Sequence, residues 1–489
     1  MMAKHPARVK TLQEASGIAM EQSSSDTRYH TDQRNTQGEE RTGDPTPLAS
    51  AGQDLTRGPI ARHLVRLTVP LIVGNILQQL YNTIDAFVVG RYAGLAEFAA
   101  IGVAGAVMNL FLFAIVGACI GITVLLAQLY GAGDEKGFKD EHFIAVMFGL
   151  LASALAGAAG ALGCGPLLSL LCTPAEIFAF TEGYLRIVLL ALPASYLYHF
   201  YGALFRSVGK VNAALVILAF AVVLNLALDI VFVAWLGMGI QGAAWATLIA
   251  QTVSALLSFV YLRTALPQLM FGRENAGLHL PLLKRTARYS FVTGLQQIGL
   301  YIGKLAVQGA VNTMGTAAIS AYTATTRIEA FANSFGDSGA SATSVVTAQN
   351  FGAGKRERVR RTFWQSLFLL GGLGVASSLA LWLSADWASA LLLGESSGPA
   401  FDSAVSYLKI VAVFYLLNFT GNTFAGYFDG IGRVSVTLLG TGTHIALRAV
   451  LAWVLIASFG LDIVAILTGL GWILVNGIWA VFYWRQRRA

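Results

Sequence analysis

Two aspartates stand inside long apolar stretches of this sequence, where an ionisable side chain is costly. Asp85 lies within LQQLYNTIDAFVVG, and Asp229 lies within VVLNLALDIVFVAW. Asn225 precedes Asp229 by one helical turn, and Thr247 lies in the next apolar stretch. Carboxylate, amide and hydroxyl oxygens are hard ligands that suit a proton or a small cation. These four residues therefore predict a site that binds and releases a proton or a small cation.

The chemistry of this set depends on how close the two carboxylates come to each other. Two neighbouring carboxylates repel each other, so uptake of a proton or a sodium ion between them is favoured. Exchange of such a cation is what an ion-coupled transporter needs. Each aspartate could instead merely bond a nearby backbone or asparagine group. Two aspartates in one half of the chain, with matching polar companions, favour the functional interpretation.

Further polar residues lie on the same apolar stretches. Gln78 and Asn82 share a helical face with Asp85, Tyr81 lies one turn before it, and Gln251 follows Thr247 by one turn. Pro70 lies about four turns before Asp85 and removes one helix hydrogen bond. A bend there could move Asp85, which predicts a conformational hinge. A proline at a helix entrance would be tolerated without such a role, and this alternative stays open.

The whole chain has the composition of a polytopic membrane protein. Of its 489 residues, 55% are hydrophobic and 12% are charged, whereas a soluble domain carries about 25% charged residues. The basic residues stand in short loops between apolar stretches, so the net charge of +7 reflects membrane topology and does not indicate nucleic-acid binding. The three cysteines, Cys119, Cys164 and Cys172, show no metal-ligand spacing and are interpreted as packing residues.

Twelve stretches after residue 60 are long and apolar enough to cross a membrane, which takes about 20 residues. Their approximate bounds are 64–91, 98–130, 140–163, 184–206, 211–235, 240–263, 286–313, 319–350, 362–384, 404–428, 434–458 and 462–484. With twelve crossings, the loops rich in Lys and Arg all fall on one face. Because such loops stay in the cytoplasm, we predict a multi-pass protein of the cell (inner) membrane with both termini cytoplasmic.

A short phrase occurs twice and divides the chain into two halves. AQLYGAG begins at Ala127, and AQNFGAG begins at Ala348. YLRIV and SVGK in the first half likewise match YLKIV and GIGR in the second. We predict a disordered cytoplasmic tail (1–60), a first lobe of six helices (61–270), a cytoplasmic linker (271–285) and a second lobe of six helices (286–489). Two parallel repeats around an axis along the membrane normal are typical of transporters, with the binding site near the midplane.

The second half does not repeat the acidic chemistry of the first. At the equivalent positions Lys304 replaces Asp85, Arg448 replaces Asn225, and Ala452 replaces Asp229. Glu329 is an added carboxylate in the eighth stretch. An ion pair between Lys304 and Glu329 would be the simplest reading of both residues. Alternatively, the basic residues could bind part of a substrate.

Three motifs in combination resemble the multidrug and toxic compound extrusion (MATE) family, and are most similar to its DinF-like branch. They are the twin AQ-x-x-GAG phrases, the N-x-x-D-x-x-x-x-G-R pattern that starts at Asn82, and the N-x-x-x-D pattern that starts at Asn225. The resemblance covers about residues 60–485. Lys304, Arg448 and the missing second-half carboxylates argue against a sodium site of the kind found in the other bacterial branch.

The resemblance implies an all-α fold of twelve transmembrane helices in two pseudo-symmetric six-helix lobes around a central cavity. It further implies a secondary active antiporter that exports amphipathic, cationic drugs or metabolites in exchange for protons or sodium. The coupling site would be formed by Asp85, Asn225, Asp229 and Thr247, with Pro70 linked to helix bending. We place the substrate cavity at Gln78, Tyr81, Asn82, Gln251, Lys304, Glu329 and Arg448.

Other functions remain as alternatives. The first is a flippase for a lipid-linked oligosaccharide or phospholipid-like precursor, because Lys304, Arg327 and Arg448 could bind a phosphate. A membrane enzyme is disfavoured because the sequence shows no metal cluster, nucleophile elbow or phosphate loop, and a channel because no filter-like segment is present. We expect no cofactor beyond the coupling ion, no metal beyond a sodium ion at that site, and no nucleic-acid partner. The expected partners are the lipid bilayer and a small amphipathic substrate, and the expected oligomeric state is a monomer.

Overall fold

The computed structural model describes residues 51–277 and 279–488, apart from the side chains of Asn82, Ala86, Leu95, Arg487 and Arg488. Within these ranges the regular structure is helical, without strands. The α-helices are α1 Ile60–Tyr92, α2 Leu95–Ala132, α3 Glu135–Leu162, α4 Cys164–Leu170, α5 Ala175–Leu190, α6 Leu192–Ser207, α7 Val211–Asp229, α8 Gly239–Ala265, α9 Leu280–Asn312, α10 Thr316–Gly352, α11 Arg356–Leu393, α12 Pro399–Gly430, α13 Val434–Phe459 and α14 Asp462–Arg488. A π-helix, Ile230–Trp235, continues α7, and two short 3₁₀ turns follow α8, at Pro267–Leu269 and Arg273–Asn275.

The described helices account for the twelve predicted crossings. Nine are long and apolar enough to span a membrane, and α5 with α6 forms a tenth, bent crossing. The remaining two, α9 and α10, have 33 and 37 residues, enough to cross, but are less apolar. They carry charged residues such as Lys304 and Glu329, which lower their hydropathy. The all-α, two-lobe, twelve-helix prediction is confirmed, with α1–α8 in the first lobe and α9–α14 in the second.

The fourth crossing differs from its prediction as one helix over 184–206. It consists of α5 and α6, which begin at Ala175 and Leu192 and meet at an angle of 48°. Pro193 lies in the first turn of α6. Because proline lacks a backbone N–H and its ring crowds the preceding turn, it breaks the hydrogen-bond ladder at this point. The apolar pattern continued across the break, so hydropathy alone did not reveal it.

Each lobe has its own buried apolar core. Phe200 and Phe205 of α6 are fully buried in the first lobe, where α2, α3 and α5 pack around them. Tyr407, Tyr415 and Phe419 of α12 are fully buried in the core of the second lobe. The repeat visible in the sequence thus corresponds to two packing units built around equivalent helices.

The predicted tail over residues 1–60 is too long at its C-terminal end. Leu55 is fully buried, and its backbone N–H donates to Oε1 of Gln349 at 3.1 Å. Lys355 Nζ donates to the carbonyl oxygen of Thr56 at 2.9 Å. Residues 51–59, called the strap from here on, are therefore anchored to the second lobe. Residues 1–50 lie outside the described part of the chain.

The linker predicted over residues 271–285 is also shorter than expected. Helix α9 begins at Leu280, so the last part of the predicted linker is helical. Pro281 stands at the start of this helix, where its missing N–H needs no intrahelical partner. The charged residues after Pro281 made this turn look like a loop.

Candidate functional site

Three helices of the first lobe bring the coupling-site residues together. Asp85 lies on α1, Asn225 and Asp229 lie on α7, and Thr247 lies on α8. The carboxyl groups of Asp85 and Asp229 are within hydrogen-bond reach of each other. Asn225 and Asp229 are each 1% exposed, so the α7 side of the pair is withdrawn from bulk water. The structure therefore assembles the set that the sequence singled out, while its coupling role stays a prediction.

Asn225 fixes Asp229 in place. The amide orientation that matches donors to acceptors lets the Asn225 nitrogen donate to Asp229 Oδ2 at 2.9 Å. In the same orientation the amide oxygen accepts from the backbone N–H of Thr247 at 3.2 Å. Asn225 therefore links α7 to α8 and presents Asp229 toward α1. The one-turn separation of Asn225 and Asp229, which the sequence indicated, thus positions the carboxylate.

Two tyrosines interact with the carboxylate pair, and a third interacts with one of them. The hydroxyl of Tyr81 lies 3.4 Å from the Thr247 hydroxyl, and Tyr81 interacts electrostatically with both aspartates. Tyr184 of α5 interacts with the same two aspartates and with Tyr81, and Tyr198 of α6 interacts with Tyr81. Sequence reasoning missed Tyr184 and Tyr198 as site residues. The repeated YLRIV and YLKIV segments were a usable signal for Tyr184.

The backbone changes its helix type directly after Asp229. Residues Ile230–Trp235 form a π-helix, and Val233 within it is buried. Single π-turns inside α-helices are rare and are frequent at functional sites, because the widened turn shifts side chains around the helix. Here the shift begins at the residue next to the buried carboxylate. Nothing in the apolar sequence IVFVAW signals it.

The residues present fit a proton or a small cation. Oδ1 of Asp85 and Oδ1 of Asp229 are buried and accept no hydrogen bond from the described part of the chain. A buried, unpaired carboxylate oxygen is costly, so a bound cation would satisfy both atoms. Among the described residues, no group of three or more His, Cys, Asp and Glu side chains could hold a metal ion. The two carboxylates, with the neutral oxygens of Asn225 and Thr247, therefore suit a proton or a sodium ion.

The second lobe buries a different polar cluster, centred on Glu329 of α10. Its carboxylate accepts hydrogen bonds from the hydroxyls of Tyr407 at 3.2 Å and Tyr415 at 3.5 Å. Arg448 of α13 faces Glu329 electrostatically and donates through Nη2 to the Tyr322 hydroxyl at 3.2 Å. Glu329 is 8% exposed. Arg448 Nε is buried and has no hydrogen-bond partner among the described residues. Glu329 and Arg448 therefore form a polar cluster within the second lobe, and their predicted place in the substrate cavity stays a prediction.

Tyr407 and Tyr184 occupy equivalent positions of the repeat and perform similar tasks. Each lies on the first part of the fourth helical crossing of its lobe, and each faces the buried carboxylate of that lobe. The lobes differ in what neutralises the carboxylate. In the second lobe Arg448 supplies a permanent positive charge, whereas the first-lobe pair has Asn225 at the equivalent position. The first-lobe pair therefore has no permanent positive charge at that position.

Lys304 does not form the predicted ion pair with Glu329. Among the described residues no ion pair includes Lys304, whose side chain is exposed on α9. Lys304 interacts electrostatically with Asp337 of α10, which is also exposed, and with Glu329. The two tyrosine hydroxyls occupy the Glu329 carboxylate instead. Asp337 lies well inside α10.

The other predicted site residues have separate placements. Gln251 accepts a hydrogen bond from Ser195 through Oε1, so this side chain joins α8 to α6. Gln78 is half-buried on α1, and the side chain of Asn82 lies outside the described residues. Pro70 lies within α1, a continuous helix from Ile60 to Tyr92. Its role as a hinge stays a prediction.

A contact between α1 and α10 places the two acidic centres at a similar depth. Asn75 Nδ2 donates to Ser338 Oγ at 3.0 Å, and the two helices cross the membrane in opposite directions as the first and eighth spans. From this contact, Asp85 lies about 15 Å along α1, and Glu329 lies about 13 Å along α10 in the same direction. Both carboxylates are thus more than two turns beyond this contact, on the same side of it.

The sequence model of the MatE family matches residues 70–231 and 293–454. The two matched segments have equal length, and one lies in each lobe, which confirms the internal repeat. Asp85 and Asp229 lie in the first segment, and Glu329 and Arg448 lie in the second. The match thus includes both buried polar clusters.

Known proteins are similar over most of the chain. "Probable multidrug resistance protein YpnP" of Bacillus subtilis (strain 168) is 28% identical over 410 residues, which cover 82% of this chain and 88% of that protein. "Probable multidrug resistance protein NorM" of Thermotoga maritima is 23% identical over 435 residues, covering 84% and 89%. A solved "outward-facing conformation of a multidrug resistance MATE family transporter of the MOP superfamily" matches with a TM-score of 0.83 and 22% identity, over 91% and 98% of the two chains. This structural similarity shows the fold.

Proposed function

Since the chain belongs to the MATE family of transporters, we propose that it is a secondary active antiporter that exports amphipathic cations in exchange for protons. Transport, and not enzymatic catalysis, is the established activity class of that family. The relatives named multidrug resistance proteins support drug efflux over the alternative of a lipid-linked precursor flippase. Assignment to the DinF-like branch stays a prediction.

The approach of Asp85 to Asp229 is the observation that carries this proposal. Two carboxyl groups within hydrogen-bond reach of each other need a proton between them, because two bare carboxylates at that separation repel strongly. The buried Oδ1 atoms of the same residues mark where a second cation can be bound. This arrangement supports protons as the coupling ion, and sodium remains the alternative that the experiment below distinguishes.

The carboxyl pair can couple proton transport to substrate transport because the proton and the cationic substrate compete for the same negative charge. When the pair holds one proton or none, its net negative charge attracts a cationic substrate into the first lobe. Uptake of a further proton neutralises that charge and weakens the binding of the substrate, which then leaves. Since linkage is reciprocal, binding of the substrate expels a proton to the same extent. Asn225 and Thr247 hold the pair in position and supply no charge.

The tyrosines around the pair support an amphipathic cation as substrate. Tyr81 and Tyr184 interact electrostatically with both carboxylates, and Tyr198 lies next in line, in interaction with Tyr81. Aromatic faces attract organic cations, and they also accept apolar groups without a defined hydrogen-bond pattern. Such a lining recognises charge and hydrophobicity rather than one shape. That property agrees with the variety of compounds that the word multidrug describes.

The distribution of bases supports an orientation with both termini in the cytoplasm. Helices α1, α3, α7, α9, α11 and α13 begin at one membrane face, which we call the basic face. Lys136, Lys210, Arg285, Lys355 and Arg433 all lie at the starts of these helices or in the loops before them. Because basic loops are retained in the cytoplasm, we assign the basic face to that side, and we propose a monomer as the working unit.

Reconstituted vesicles test this function. The purified protein is placed in proteoliposomes loaded with ethidium, and a pH gradient or a sodium gradient is imposed separately. We expect ethidium to leave its loaded compartment when the pH gradient is imposed, and to stay when the sodium gradient is imposed alone. Ethidium movement driven by the sodium gradient alone would show that sodium, and not the proton, is the coupling ion. Translocation of a fluorescent lipid-linked sugar, with no ethidium movement under either gradient, would favour the flippase instead.

Pro70→Ala tests the hinge. Alanine restores the backbone N–H and so adds one helix hydrogen bond to α1, which straightens and stiffens the segment before Asp85. We expect ethidium transport to fall several-fold while thermal stability in detergent stays equal or rises. Val69→Ala, an exposed neighbour on the same helix, is the matched control and should transport normally. Full transport by Pro70→Ala would remove the hinge from the mechanism.

A further inference from the structure

The two copies of the AQ-x-x-GAG phrase meet each other across the interface between the lobes. Gln128 and Gly131 lie at the end of α2, and Gln349 and Gly352 lie at the end of α10. A methyl group on Gly131 would overlap the backbone carbonyl of Gln349, and one on Gly352 would overlap the backbone carbonyl of Gln128. Each glycine is therefore required for the close approach of the other copy.

The two glutamines make reciprocal hydrogen bonds to the opposite lobe. Gln128 Nε2 donates to the carbonyl oxygen of Gly430 at 2.9 Å, at the end of α12. Gln349 Nε2 donates to the carbonyl oxygen of Ser207 at 2.8 Å, at the end of α6. Gly430 and Ser207 are equivalent positions of the repeat, in the GIGR and SVGK segments. Each lobe thus caps the C-terminal end of the other lobe's fourth crossing.

A third group completes each half of this arrangement. Arg285 Nη2 donates to Gln128 Oε1 at 2.8 Å, and the backbone N–H of Leu55 in the strap donates to Gln349 Oε1 at 3.1 Å. Both glutamines are buried, with 5% and 0% of their surface exposed. All of their polar side-chain groups are therefore satisfied only while the lobes remain in contact at the basic face.

We propose that these paired motifs are the gate that closes the transport pathway at the basic face. Alternating access in two-lobe transporters proceeds largely by rocking of one lobe against the other around a central site. For the site to open toward the basic face, the four motif residues must separate and both glutamine bonds must break. Gln128 and Gln349 can then bond to water at their polar groups, which offsets part of the cost of breaking these contacts. Each copy of the repeated phrase is thus the packing partner of the other copy.

The strap forms a second set of hydrogen bonds between the lobes at the basic face. Asn350 Nδ2 and Arg358 Nη2 both donate to the carbonyl oxygen of Leu55, and the backbone N–H of Gln53 donates to the carbonyl oxygen of Val208 at 2.8 Å. The strap therefore bonds to both lobes, at Val208 in the first and at Asn350 and Arg358 in the second. Opening of the gate must release one of these two attachments.

Distance measurements between the lobes test the gate without using transport. Spin labels are attached to cysteines at Lys136 and Glu357, which are exposed and lie just beyond the two motifs. Cys172→Ser removes the exposed native cysteine, while Cys119 and Cys164 are buried. Double electron–electron resonance on the purified full chain should give a dominant short distance. The inference rests on the proposed transport function for its purpose, but this readout is independent of substrate and coupling ion.

We expect Gln128→Ala combined with Gln349→Ala to raise the ratio of long to short distances by about fivefold or more, since several buried hydrogen bonds hold the closed state. Gly131→Ala should do the same by steric overlap. Gly105→Ala on the same helix, where an added methyl meets no atom within 4 Å, should leave the distribution unchanged. An unchanged distance distribution in the folded glutamine double variant would show that these contacts are a permanent interface. That result would contradict the proposed gate. The glutamine double variant adds no atoms and so introduces no steric overlap. It therefore tests the gate even if Gly131→Ala does not fold.

Discussion

Asp85→Asn is expected to reduce pH-driven ethidium transport to the level of vesicles without protein. Asparagine keeps the size of the side chain and can still bond to Asp229, so we expect normal folding and insertion. What it removes is one exchangeable proton and half of the charge that attracts the substrate cation. Asp229→Asn should have the same effect, because the two carboxyl groups act as one pair. The measurement is the initial rate of ethidium movement at a fixed pH difference.

Asp386→Asn provides the matched control for this result. Asp386 forms an exposed ion pair with Lys409 at 2.8 Å, and such surface pairs contribute about 0–1 kcal/mol. Its transport rate should equal that of the unaltered protein. Wild-type transport by a folded Asp85→Asn variant would mean that the carboxyl pair is not the coupling site.

The second large effect concerns stability and is expected at Glu329 and Arg448. Removing one member of a buried, charged pair leaves the other without compensation, which costs about 3–5 kcal/mol in unfolding free energy. We expect Arg448→Met and Glu329→Gln each to lose about 3 kcal/mol, the lower end, since the two groups face each other without a direct ion pair. The double variant should lose much less than the sum of the two. Thermal and chemical unfolding in detergent measure these differences.

The same variants distinguish a structural role from substrate binding. If the cluster mainly balances its own charges, the stable double variant should still transport ethidium. If Arg448 or Glu329 contacts the substrate, that variant would be stable yet inactive. Arg360→Met, which alters an exposed pair with Glu357, is the control for the loss of an arginine. Single variants that are no less stable than this control would contradict the charge-balance interpretation.

Much of the coupling site was predictable because its signals were local. A carboxylate in an apolar stretch is conspicuous, and one-turn spacing places Asn225 beside Asp229 without knowledge of the fold. The pairing of Asp85 with Asp229 needed the packing of α1 on α7, which the sequence suggested only in that both aspartates lie in the same half of the chain. Tyr198 carried no signal, since a tyrosine in an apolar helix is most often a packing residue.

The second lobe shows where sequence reasoning stops. Lys304 and Glu329 were opposite charges on neighbouring helices, and an ion pair was the simplest expectation. The bonding partners of Glu329 are instead Tyr407 and Tyr415, whose hydroxyls reach it from α12, a third helix. The hydrophobic periodicity of α12 does not define which of its faces meets Glu329. The strap was missed for a similar reason, because the bonds from Gln349 and Lys355 that hold it come from about 300 residues away along the chain.

Direct detection of proton release tests the central claim most closely. Ethidium is added to the purified protein in weakly buffered detergent solution, and the pH and the fluorescence of bound dye are followed together. We predict the release of about one proton for each dye bound, since both cations depend on the same charge. The Asp85→Asn/Asp229→Asn double variant should release none. Dye binding by the unaltered protein without release of protons, or equal release from the double variant, would contradict coupling through this carboxyl pair.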